Sequence, residues 1–136
     1  MTTKTLALTF ALSTFTLASF AADPDISKLP PAAKKDGVTF DADIKPIVEK
    51  SCLKCHSGEK PKGKFRADTR ENFIKGGDGD EKAVTAGNSA KSQVLFMVSD
   101  LIADEEMPPL DKREKFQKLT KDQVGLLRAW IEQGAK

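Results

Sequence analysis

Cys52-Leu53-Lys54-Cys55-His56 places two thiols two residues apart and an imidazole directly after the second. Two thiols at this spacing can each add across one vinyl group on the edge of a haem. The histidine that follows can then reach the iron through one ring nitrogen. The pattern takes up both cysteines and the single histidine of the 136-residue chain. Other chemistries use the same residue types. Structural zinc wants four ligands, and no second Cys/His pair is present to complete a shell. A thioredoxin-type redox pair expects a βαβ setting, and nothing upstream reads as a strand entering it. A plain disulfide leaves His56 without a purpose. The reading is one covalently attached haem c, carried by Cys52 and Cys55, with His56 as the proximal iron ligand.

Upstream of the motif, residues 1–21 read as a cleaved leader. Lys4 gives a positive start, Leu6 to Phe20 form a moderately apolar run, and Ser19-Phe20-Ala21 offers small residues for cleavage after Ala21. The run is broken by Thr9, Ser13, Thr14, Thr16 and Ser19, which argues against a spanning helix. Export agrees with the motif, because c-type haem is attached outside the cytoplasmic membrane, so a periplasmic protein is expected. About 115 residues then remain, one domain's worth. The formal net charge is +2, and loss of Lys4 leaves +1. No global basic field argues for nucleic acid, and no apolar stretch after the leader argues for a membrane. Residues 22–37, with Pro24, Pro30 and Pro31, read as a flexible lead-in, and 38–136 as the domain proper. Ile44, Ile47 and Val48 recur on one helical face. Pro46 must fall in the first turn of that helix, which makes Asp43 the expected cap.

Downstream, Lys60, Lys62 and Lys64 lie on a loop, either simply solvated or forming a basic collar near the haem edge. Asp68-Thr69-Arg70-Glu71 has capping-box spacing before a short helix with Phe73 and Ile74, closed by Gly76 and Gly77. Arg66 and Arg70 are candidates to pair with haem propionates. Gly76 to Asp80 reads as a turn, lacking the spacing of a calcium loop. A third helix, capped by Asn88 or Ser89, carries a stripe of Val94, Val98, Leu101 and Ile102. A charged connector, Asp111 to Lys118, turns Phe116 and Leu119 inward. Thr120 and Gln123 form a T-x-x-Q box opening a last helix, with Val124, Leu127, Trp130 and Ile131 inward. No strand is expected.

An iron with His56 on one face has few choices on the other. No second histidine exists, and of the three methionines only Met97 and Met107 lie beyond the leader. Met97 sits within Val94-Leu95-Phe96-Met97-Val98, where methionine serves as core filler. Met107 precedes Pro108 and Pro109, which stiffen its loop. Met107 is the expected distal ligand.

The stretches FDADIKPIVEKSCLKCH, KGKFRADTRENFIKGG, DEEMPPL and LTKDQVGLLRAWIEQGA together resemble the planctomycete-type cytochrome c domain, a branch of the class I-like monohaem cytochromes c. The resemblance runs from Val38 to Ala135. It implies an all-α, cytochrome c-like helical domain wrapped around one covalently attached haem. Thioethers at Cys52 and Cys55, and iron held by His56 and Met107, are likewise what it implies. The implied activity is electron transfer; redox partner proteins and a monomeric state are expected with it. The alternative is a haem-based gas-binding or sensing module whose distal ligand leaves. A peroxidase-like role wants polar acid–base groups opposite the iron, and the chain has no second histidine to serve there, so no enzyme is expected.

Overall fold

The computed structural model describes residues 24–79 and 82–136. The leader at 1–21 lies outside them, as does Asp80 of the glycine-rich turn. Four α-helices follow one another: α1 (Lys45–Ser51), α2 (Arg70–Lys75), α3 (Gln93–Val98) and α4 (Lys121–Glu132). Short 3-10 turns lie at Ile26–Lys28, Lys62–Lys64, Ser89–Lys91 and Leu110–Lys112. There is no strand among the described residues, so the fold is all-α.

The last helix carries the centre of the core. Thr120 and Gln123 make the reciprocal capping box that their spacing predicts, and the helix buries Val124, Leu127, Trp130 and Ile131. Trp130 lies at the centre, with ring centroids 5.6 Å from Phe40 and 6.1 Å from Phe73. Its indole N–H donates to the Lys136 carbonyl at 2.7 Å, so burial leaves no polar atom unpaired. α4 also meets α3 and the turns at 40–44 and 89–91.

α1 starts differently from the expectation. Asp43 does not cap it: Ile44 stands at its N-cap position with no side-chain bond, and Thr39 caps the wider turn before it. Thr39 Oγ1 accepts from the Ala42 amide, and Asp43 reaches back to accept from the Thr39 amide at 3.0 Å. A wider turn at Phe40–Ile44 precedes α1, which leaves Pro46 in the first turn of the α-helix, where its missing N–H costs nothing. The stripe of Ile44, Ile47 and Val48 does face inward: the first and last are buried and Ile47 is half-buried.

Residues 24–37, expected to be a flexible lead-in, are fastened along α4. The Ala33 amide donates to the Gly125 carbonyl at 2.9 Å, Arg128 to the Pro30 carbonyl at 3.1 Å, and Gln133 to the Lys35 carbonyl at 2.7 Å. Leu29 is buried beneath this strap. The expectation failed because these partners lie about a hundred residues away, where local composition carries no signal.

α3 is shorter than its apolar stripe suggests. It ends at Val98, with Asp100 in the left-handed region at φ 59° and the Leu101 amide returning to the Phe96 carbonyl at 2.9 Å. Aspartate tolerates that conformation better than most residues. Leu95 and Phe96 are therefore the most deeply buried members of the segment, while Leu101 and Ile102 pack from outside the helix. Among the described residues, no helix is long and apolar enough to cross a membrane.

Candidate haem site

α1 ends at the first thiol. The Cys52 amide closes onto the Val48 carbonyl at 2.8 Å, and the amides of Cys55 and His56 both return to the Cys52 carbonyl, at 3.1 and 3.0 Å. One tight turn thus gathers both sulfurs and the imidazole. The cysteines are free thiols. Burial, helped by the neighbouring Cys55, pushes the Cys52 thiol up to about 12. A disulfide-exchange nucleophile needs the opposite shift, so the environment disfavours a thioredoxin-like role. Among the described residues, no group of three or more His, Cys, Asp or Glu side chains is placed to hold a metal ion by itself.

His56 is oriented by its second nitrogen. Nδ1 lies 3.1 Å from the Lys62 carbonyl. A carbonyl only accepts, so Nδ1 carries the proton and Nε2 keeps its lone pair. The Lys62 amide in turn donates to the Cys55 carbonyl at 3.0 Å, and the Ala67 amide to the His56 carbonyl at 2.8 Å. The ring packs on Phe65 at 4.9 Å between centroids. Burial lowers the imidazole's affinity for a proton, against opposing backbone hydrogen bonds. A neutral ring with a fixed N–H and a free Nε2 is the form that binds a metal.

The thiols and His56 open onto a cleft of about 780 Å³, whose walls include Val98, Met107, Phe116 and Leu119. A second cavity of about 320 Å³ shares Cys52, His56, Lys62, Val98 and Met107, and adds Phe65, Phe73 and Met97. Met107 therefore lines both spaces, together with His56, whereas Met97 lines only the smaller. Met97 is half-buried rather than a core filler. Walls that combine apolar side chains with charged ones, paired thiols and an oriented imidazole fit a covalently held haem.

The Met107 loop is anchored from two directions. The Met107 amide donates to the Met97 carbonyl at 3.0 Å, and the Pro108 carbonyl accepts from Arg113 Nε at 3.0 Å. Arg113 also makes a forked pair with Asp100, at 3.0 and 2.6 Å. Nothing in the sequence marks these two residues. Their contact spans thirteen positions, and Arg113 lies in a connector that reads only as charged.

Other candidates are placed elsewhere. Arg66 pairs with Asp68, and Arg70 with Glu71 and the Ala135 carbonyl. Neither lines the cleft, in keeping with their reading as surface arginines rather than as propionate partners. Of the three-lysine cluster, only Lys62 lies on the cleft wall. Lys60 does not, and Lys64 faces Asp78 at 3.6 Å. The cationic side chains on the wall are Lys54, Lys62, Lys112 and Lys115, alongside Asp111 and Glu114.

A family model described as Planctomycete cytochrome C matches residues 52–111. That span begins at the first thiol and ends just beyond the Met107 loop. No curated protein and no solved structure matches the chain significantly.

Proposed function

We propose, from the match of residues 52–111 to the planctomycete cytochrome c model, that this chain is a module for haem-based electron transfer, a periplasmic monohaem carrier with His/Met-ligated iron. The observation that carries the reading is the pairing of His56, its Nε2 left free by the Nδ1 bond to Lys62, with Met107 on the walls of one cleft. Cys52 and Cys55 would hold the haem by thioethers, and His56 and Met107 would hold its iron. Bound there, haem c would supply a one-electron ferric/ferrous couple, and pairing a methionine ligand with histidine would raise its potential. The chain's part is to keep both ligands in place, exclude water with Phe65, Phe73, Val98 and Leu119, and present a cationic rim. With His56 and Met107 both given to holding the iron, the chain would serve as a carrier rather than an enzyme. Lys54, Lys62, Lys112 and Lys115 would steer an acidic redox protein into a brief encounter. The leader at 1–21 supports export, and the protein would act as a monomer.

The test begins with protein matured where haem is attached. The colour should survive acid-acetone extraction, and the ferric form should show the weak long-wavelength sulfur-to-iron band. Met107→Ala should abolish that band and lower the potential, while Met97→Ala spares it. The reverse pattern exchanges their roles. Rapid carbon monoxide binding by the ferrous parent would instead make the protein a gas-binding module.

A further inference from the structure

Pro108 and Pro109 follow Met107 and have no amide N–H, so the loop cannot fasten itself through donors on that side. What remains are the two carbonyls: that of Pro109 takes the Lys112 amide of the following turn at 2.9 Å, and that of Pro108 takes Arg113 Nε at 3.0 Å. The same guanidinium grips both oxygens of Asp100 through its two terminal nitrogens. Asp100 stands just beyond the end of α3, the helix whose Met97 carbonyl takes the Met107 amide at 3.0 Å. One planar fork therefore ties the far side of Met107 to the helix that already holds its near side. The Arg113 and Asp100 side chains are only 24% and 26% exposed, so the pair is partly shielded from solvent. A lysine has no comparable fork and cannot span carboxylate and carbonyl together.

We propose that Arg113 is the positioning residue for the Met107 thioether, holding the loop closed over the distal face of the site through Pro108 and Asp100. The inference rests on the reading of Met107 as iron ligand. Arg113 sets how readily the thioether is displaced and touches no reacting atom itself.

The haem-loaded full chain, in the ferric state, is titrated with imidazole while the sulfur-to-iron band is followed. Arg113→Ala should bind imidazole roughly tenfold more tightly or better, the scale set by one lost charge-assisted hydrogen bond. Arg113→Lys keeps a cation opposite Asp100, so it should unfold near the parent's temperature yet still bind imidazole more tightly. That variant keeps the test valid should Arg113→Ala fold poorly. In a Met107→Ala background, Arg113→Ala should leave imidazole affinity unchanged, since no thioether remains to be positioned. Parental affinity in both single variants, or an Arg113 effect that persists without Met107, overturns the inference. A parent that lacks the band, and whose imidazole affinity Met107→Ala leaves unaltered, overturns the ligation reading and this inference with it.

Discussion

The Arg113 fork and the Lys118 ammonium converge on Asp100, at 2.6 to 3.0 Å, and hold its carboxyl down to about 2 from an ordinary 3.8. The largest cause is the hydrogen bonding by Arg113, partly opposed by burial. A depressed carboxyl stabilises the fold wherever it is ionised. Its contribution is complete above about pH 4 and is lost as pH falls towards 2. Asp100→Asn should therefore cost on the order of 1 kcal/mol at pH 7, discounted because the group is still a quarter open to water. It should also flatten the slope of stability between about pH 4 and 2, read by thermal unfolding across that range. Asp68, likewise held at about 2 by Arg66 and Asn72, lies away from the cleft. Asp68→Asn should leave the sulfur-to-iron band where it is. Movement of the band in that variant would mean that acid sensitivity is spread over the whole surface.

At the scale of elements, the strap and α4 make the sharpest demand. An added Cβ at Gly125 would lie 2.7 Å from the Pro31 carbonyl, and this is backbone that cannot swing aside. Alanine is worth about 1 kcal/mol more than glycine within a free helix, so the sign of Gly125→Ala is informative. The clash should win, with a net loss of about 1–3 kcal/mol and faster proteolytic cutting between residues 24 and 37. A stabilised variant would show that the strap is not seated on α4. The same region marks where sequence reading stops. α4, its capping box and the thiol–imidazole turn were legible, because each is written within a few neighbouring residues. The place of Met107 on a proline-stiffened loop was legible too, from Pro108 and Pro109. The strap, the Thr39 cap, the early end of α3 and the Arg113–Asp100 fork were not, since each depends on a partner brought close by the fold. Charged residues between 111 and 118 look alike until one of them meets a carbonyl.

Over the whole molecule, a cleft of about 780 Å³ lies among described residues whose four α-helices are six to twelve residues long. Helices of six or seven residues have little stability of their own, so a group that fills the cleft and binds only the folded chain should supply much of the total. Cys52→Ala combined with Cys55→Ala should give a product lacking near-ultraviolet dichroism and a sharp calorimetric transition. A cooperative transition close to the parent's would mean that the helices stand without the cofactor. The aromatic core offers a way to watch this from inside. Rings run from His56 through Phe65 and Phe73 to Trp130 at steps of 4.9, 5.6 and 6.1 Å, and Trp130 is the one tryptophan in the chain. Light absorbed by its indole should pass to a nearby haem instead of being re-emitted, so the loaded protein should be dark and brighten only when the core opens. Slackening of the Met107 loop would change the colour and leave the emission dark, and global unfolding would change both. One molecule thus reports its local and its global opening in two separate channels of light.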